Sequence, residues 1–365
     1  MKTPTHEQAF QVLLLQAADE RRGDVLLGDS LSRAREAVLP FLVGAEFPSV
    51  YLEFPLIGEP FLDVTMLYNE LEVGTRIASE AVADTEAILD WYAGIRQSGL
   101  ADIADGDKAG TDASEDGPRE AAHPYADVSF GFELDTKNPE PSRAAVHFQP
   151  RRHKELVEPF CATLGEGRRG QLYLDFAARA PEGWKPSFFG FFRGRPGSPM
   201  RVCGYLGSEE AHACAHSPDH LAEVFEAVGF GAYDDQMLSQ ACALMATSPE
   251  GLDYQFDIYD DGYLGPTFAI DLQFGIARPK EVEASFENGL AARVLGLLER
   301  QGVADERWHL VGQAAFARSV DVALADGSTG RYAFTLMPQW AKARWHEGSQ
   351  QPSKLYHFAH AGLVG

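Results

Sequence analysis

Cysteine is scarce in this 365-residue chain. Cys161, Cys203, Cys214 and Cys242 are the full set, too few for a disulfide scaffold at this length, so they read as reduced thiols. Positive charge is short as well: 31 Lys and Arg stand against 54 Asp and Glu, a formal net charge of −23. Nucleic acids and anionic membranes attract proteins through basic surfaces, so that balance argues against both as partners. Long apolar runs are missing too. No stretch approaches the ~20 residues of a membrane helix, and MKTPTHEQAF lacks a signal-peptide core, which places the protein in the cytoplasm.

Several familiar motifs are absent. GEGRRG at 165–170 lacks the Lys-Ser/Thr of a phosphate loop, and no G-x-S-x-G nucleophile elbow occurs. CGYLGSEEAHACAHSPDH at 203–220 collects the metal-capable His212, Cys214, His216 and His220. Its His-x-Cys-x-His spacing fits no standard compact tetrahedral motif, and a polar loop ending at the Ser217-Pro218-Asp219 helix start accounts for it. No metal is expected there.

What the chain does have is 45% hydrophobic and 11% aromatic content, enough for one large core or two ordinary ones. Amphipathic helices are predicted at 7–22 and 30–38, so residues 1–44 form a helical N-terminal part. Residues 45–365 then repeat one unit, two strands around a short turn followed by helices. Hairpins are predicted at 49–71, 127–149, 171–193 (through EGWKP, extended by a strand at 200–206), 252–275 and 332–360. Helices are predicted at 75–97, 151–164, 218–228, 233–246 and 285–301, with an additional strand within 310–325. Residues 101–124 carry many acids and almost no large apolar side chains, and read as a mobile insertion.

The turns are too short for crossovers, so the strands pair antiparallel. Ten half-buried strands close most economically into a barrel with helices outside, an α+β architecture whose interior is a partly polar chamber. The terminal hairpin is the most informative. Lys342, Arg344 and His346 share one face of its first strand; Lys354, Tyr356, Phe358 and His360 share one face of its second. If those faces coincide, cations and a phenol converge while Trp345 and Leu355 pack behind, a surface suited to a phosphate or diphosphate.

Repeated units of this kind resemble the ABBA-fold aromatic prenyltransferases, which include dimethylallyl tryptophan synthases and cyanobactin enzymes. FGFELDTKNPEPSRAAVHFQP at 130–150 is similar to that family's first-half hairpin, and AKARWHEGSQQPSKLYHF at 341–358 to its terminal one. Ala145, His147, Asp271 and Gln273 depart from it, standing where Lys, Tyr or another basic residue is usual. The resemblance implies transfer of a prenyl group from an allylic diphosphate co-substrate to an aromatic acceptor, an indole, a phenol or a peptide. It implies no resident cofactor and leaves magnesium open.

That chemistry assigns roles to residue types. Cations and hydroxyls must hold the leaving group, and Arg143, Arg201, Tyr205, Lys342, Lys354 and Tyr356 are candidates. Aromatic faces must shield the allylic cation, for which Tyr173, Tyr259 and Phe358 qualify. A carboxylate must orient or deprotonate the acceptor; Glu53, sharing a face with Tyr51, and Glu133, sharing one with Ser129, fit. Other readings remain beside this one. Arg201 and Lys342 could neutralise Asp257, Asp271 or another carboxylate as structural ion pairs, and the barrel could bind a small molecule or peptide without chemistry. A third has the acidic insertion contacting a basic partner protein.

Overall fold

The computed structural model describes residues 49–59, 63–68, a few positions between 90 and 97, 127–134, 143–150, 154–192, 197, 199–248, 252–311, 315–323 and 327–363. The side chains of 49, 66–68, 127–134, 143, 144, 316 and 360–363 lie outside that set. The helices expected at 7–22 and 30–38, most of 75–97, and the insertion at 101–124 also fall outside it.

Eleven strands are described: β1 (Ser49–Pro55), β2 (Asp63–Tyr68), β3 (Asp127–Leu134), β4 (Arg143–Gln149), β5 (Pro186–Phe191), β6 (Met200–Leu206), β7 (Leu252–Ile258), β8 (Leu264–Gln273), β9 (Phe316–Ala323), β10 (Thr329–His346) and β11 (Ser349–Leu363). Each neighbour from β1 to β8 is antiparallel to the next; β8 pairs with β10, β10 with β11, and β11 returns to β1. Ten strands thus complete a ring, which removes the exposed edges an open sheet would present. β9 stands beside it as an eleventh, pairing with 329–336 of β10 while β8 pairs with 340–346.

The last turn shows how local sequence sets this register. His346 pairs with Ser349, so Glu347 and Gly348 alone make the turn, both at positive φ (51° and 76°). Turns of that hand match the strand twist, and glycine adopts them at no steric cost. Ser349 and Pro352, turn-favouring residue types, belong to β11 instead. Pro352 is tolerated there because a register shift between Lys342 and Arg344 leaves the extra residue on β11.

Helices α1 (Val157–Thr163), α2 (Gly167–Arg179), α3 (Ser208–His216), α4 (Pro218–Val228), α5 (Asp235–Met245), α6 (Val282–Glu287), α7 (Leu290–Arg300) and α8 (Trp308–Val311) are described outside the strands. The core lies between them and the outer sheet face. Leu52, Phe54, Val202, Tyr254, Phe256, Phe268, Ile270, Trp345 and Leu355 are buried there with Phe176, Phe225, Leu244 and Leu295 of the helices. One expected strand is corrected. Residues 171–179 form the body of α2, because its buried positions Arg169, Gly170, Tyr173, Phe176 and Ala177 follow a 3.6-residue period. The third hairpin is therefore β5–β6.

Candidate functional site

Period-2 alternation sends the opposite set of side chains inward. They line a chamber of about 620 Å³, within the size range of small-molecule sites. Its polar wall gathers Glu53, Asp63, Asp253, Asp257 and Asp271 with Arg201, Lys342, Arg344 and Lys354. Its apolar wall includes Tyr51, Phe188, Phe192, Trp340 and Tyr356. Gly190 also lines it; a Cβ there would meet His147 Nδ1 at 2.7 Å. A side chain at 190 would therefore force His147 to move.

Glu53 sits at the centre of one cluster. Register places it opposite Tyr356 on one side and Asp63 on the other. Lys354 Nζ donates to Glu53 Oε2 and to Asp63 Oδ2, each at 3.0 Å. The Tyr356 hydroxyl donates to Glu53 Oε2 and that of Thr65 to Oε1, both at 2.9 Å. Burial alone would raise the Glu53 pKa, but Lys354 and Lys342, with the bonds from Lys354 and Thr65, hold it at about 2. Burial depresses the Lys354 ammonium, and Glu53 and Asp63 more than reverse this, so its pKa is raised. Glu53 therefore faces the chamber as a fixed anion.

A second cluster has the opposite character. Asp253 and Asp271 are cross-strand partners on β7 and β8, and Lys342 is opposite Asp271 on β10. Lys342 Nζ lies 3.5 Å from Asp271 Oδ1, and Gln255 donates to Asp271 Oδ2 at 2.8 Å. Gln273 donates to Asp253 at 2.8 Å. Burial, then repulsion from Asp271, pushes Asp253 up to about 6 against the opposing Gln273 and Lys342. Burial also raises Asp271, although Lys342 and Arg201 oppose it. Arg201 forms a forked pair with Asp257, at 2.9 and 3.1 Å, and its guanidinium lies 5.1 Å from the Phe192 ring centroid.

Three rings of the apolar wall form a contiguous group. Trp340 stacks on Tyr356 at 5.0 Å, and Tyr51 lies 5.2 Å from Trp340 and 5.1 Å from Phe358. Lys342 Nζ sits 4.9 Å from the Tyr356 centroid. Ring faces of this kind attract positive charge.

Of the residues singled out in the sequence, Glu53, Arg201, Lys342, Lys354 and Tyr356 meet in this chamber. Arg201 and Lys342 do so as partners of Asp257 and Asp271, the ion-pair arrangement weighed above. Glu133 and Arg143 face each other in the β3–β4 register, but their side chains lie outside the described residues. Four other residues are placed elsewhere. Tyr205 shares the inward parity of Arg201 but lies at the strand end, 46% exposed. Tyr173 is on α2, packed at 4.6 Å on Phe189 behind the sheet. Tyr259 follows β7 and lines a shallow outer depression with Gly197 and Tyr263. Phe358 packs against Tyr51 and does not line the chamber wall.

Sequence reasoning missed Tyr51, Trp340, Phe188 and Phe192 as the aromatic wall, and Asp63, Asp253 and Gln255 as polar lining. β7 did carry a signal: in LDYQFDI the apolar positions are buried and the polar ones half-buried, in strict alternation. Its inward face was legible as polar, and acidic.

Neither a family model nor a curated protein sequence matches the chain. Solved structures do. The 5-dimethylallyltryptophan synthase of Streptomyces coelicolor superposes with a TM-score of 0.53 at 12% identity, covering 98% of this chain and 98% of that one. The same enzyme in complex with DMASPP and Trp superposes at 0.52, with 12% identity over 98% and 96%. NotF prenyltransferase gives 0.53 at 12% identity over 99% and 96%. The chain has the barrel fold of these aromatic prenyltransferases.

Proposed function

We propose that this chain, sharing that fold, transfers a prenyl group from an allylic diphosphate to an aromatic acceptor bound in the chamber. The observation that carries the reading is Glu53, an anion fixed by Lys354, Tyr356 and Thr65 beside the wall of Tyr51, Trp340 and Tyr356. In the step, the allylic C–O bond breaks and its electron pair leaves with the diphosphate. A ring carbon of the acceptor forms the new C–C bond and then loses its proton.

Roles follow from the two kinds of carboxylate. A group with a pKa near 2 holds a proton poorly, so Glu53 accepts a hydrogen bond from the acceptor's N–H or O–H and stabilises the charge that develops on its ring. Asp253, near 6 and coupled to Asp271, is better matched to take up the ring proton at neutral pH. Tyr51, Trp340 and Tyr356 shield the allylic cation, and the barrel keeps water from it. Lys342, Arg344, Lys354 and Arg201 are the groups available to the leaving diphosphate.

One observation favours a second reading, a barrel that binds a ligand without chemistry. Lys354, Lys342 and Arg201 already contact carboxylates, and a diphosphate must compete for them. The test is incubation with dimethylallyl or geranyl diphosphate and a panel of indoles, phenols and aromatic peptides, followed by mass spectrometry. Prenylated acceptor together with released diphosphate supports transfer. Stabilisation of the protein by an acceptor without turnover supports the binding barrel.

A further inference from the structure

The segment read as a polar loop with four metal-capable residues is helical, and helix geometry sorts them. On α3, Glu210 and Cys214 are four residues apart and turn inward; His212 and His216, also four apart, are exposed, with ring centroids 4.1 Å from each other. Ser217 caps α4, its side chain accepting from the His220 N–H at 3.1 Å, and Pro218 occupies the first turn. This cap sets His220 against Glu210.

Three donors then converge on Glu210 Oε1. His220 Nε2 lies at 3.0 Å, Cys214 Sγ at 3.7 Å and the indole N–H of Trp184 at 2.9 Å. Among the described residues, Glu210, Cys214 and His220 form a group whose ligand atoms all lie within 4.8 Å of one another. Tetrahedral zinc, with bonds of ~2.3 Å to sulfur and ~2.0–2.2 Å to nitrogen and oxygen, needs ligand–ligand edges of about 3.4–3.6 Å. The two edges at Glu210, 3.0 and 3.7 Å, each lie within about 0.4 Å of that requirement, and the third is no longer than 4.8 Å.

The surroundings suit a metal as well. His220 Nδ1 lies 4.0 Å from Glu223 Oε2, so a small side-chain movement lets that carboxylate accept a hydrogen bond from Nδ1–H when Nε2 is a ligand. The Glu210 and His220 side chains are 22% and 35% exposed while Cys214 is buried, which opens the fourth position toward solvent. The Trp184 N–H can stay on Glu210, since a carboxylate oxygen has two lone pairs.

We propose that Glu210, Cys214 and His220 form a binding site for a divalent transition metal of the zinc class, using one carboxylate, one thiolate and one imidazole. Binding forms metal–oxygen, metal–sulfur and metal–nitrogen bonds and releases the Cys214 thiol proton to solvent. With Nε2 as the ligand, the imidazole carries its proton on Nδ1. A thiolate ligand must lose its proton, so affinity rises with pH. The site ties α3 and α4 to the Trp184 turn, outside the chamber, and is independent of prenyl transfer.

Cobalt(II) titration of the full chain tests this, with zinc as competitor. The expected result is one equivalent bound, a thiolate-to-cobalt charge-transfer band with tetrahedral visible bands, and displacement by zinc. Cys214→Ser should abolish the thiolate band, His220→Gln should weaken binding at least ~10-fold, and Glu223→Gln by less than ~10-fold. His212→Ala should change nothing. Should Cys214→Ser fail to fold, His220→Gln, at a half-exposed position, carries the same test. Binding that survives Cys214→Ser and disappears in His212→Ala would assign the metal to the exposed histidine pair and overturn the proposal. So would an absence of cobalt uptake.

Discussion

Lys342 and Lys354 stand directly opposite one another on β10 and β11, and each ammonium lies against carboxylates from other strands. Like charges facing across a strand pair destabilise it, and desolvation inside a barrel adds to that cost. Asp271 on one side, and Glu53 with Asp63 on the other, offset it. The acids of the chamber thus follow from the cations that β10 and β11 bring together.

Removing one partner should expose that balance. Lys354→Met leaves Glu53 and Asp63 without their shared ammonium, and should destabilise the protein by about 3 kcal/mol, as for a broken buried pair. Adding Glu53→Gln should recover part of the loss. Urea denaturation of the single and double variants measures both; equal stability of Lys354→Met and wild type would show that the cluster contributes nothing to folding.

Asp63 offers a way to separate transfer from mere binding. In Asp63→Asn one carboxylate competing for Lys354 is gone, so an allylic diphosphate should bind more tightly by about tenfold, the usual scale of one charged hydrogen bond. Isothermal titration checks the direction. Weaker or unchanged binding would mean that Lys354 does not meet the diphosphate.

The pH–rate profile reports on Asp253. If its carboxylate takes the ring proton, kcat should fall as pH drops through about 6, because the protonated form cannot accept. Asp253→Asn should lower kcat by ~10²-fold or more and remove that limb. A profile unaltered by Asp253→Asn would assign the proton to another group or to water.

Acid stability should be governed by His357, buried on the outer face of β11 against Phe54 at 4.8 Å. Burial lowers its pKa to about 3. A depressed folded-state pKa gives stability that is full above the unfolded value near 6.5 and is lost as pH falls toward 3. Glu53 acts in the same direction over a lower range, from its ordinary 4.5 to about 2. Asp253 acts oppositely: its contribution is present below its ordinary 3.8 and lost as pH rises through about 6. His357→Leu should therefore flatten the loss of stability between pH 6.5 and 4. Melts in which wild type and variant decline in parallel would remove His357 from that role.

The terminal hairpin was legible because its faces separate by simple alternation: Trp345 and Leu355 are buried, while Lys342 and Lys354 line the chamber. Glu53 was legible for the same reason. Tyr173 was not. Leu172 and Leu174 flank it in a pattern that imitates a strand, and only packing of Tyr173, Phe176 and Ala177 at helical spacing decides for α2. The partners of the cations were harder still. Lys354 meets Glu53 across 301 residues of sequence, and such a contact exists only once the ring has closed. Glu210 escaped notice because histidines and cysteine drew attention to spacing along the chain, whereas its neighbours come together through the capped start of α4.

The most direct measurement of the central claim is single-turnover mixing of the protein with dimethylallyl diphosphate and an indole acceptor, for wild type and Glu53→Gln in parallel. Wild type should form prenylated acceptor and free diphosphate in equal amounts, and Glu53→Gln should do so at least ~10²-fold more slowly while still folded. Equal rates in the two proteins would contradict the role given to Glu53. Failure of wild type to form product with any allylic diphosphate and aromatic acceptor would contradict prenyl transfer itself.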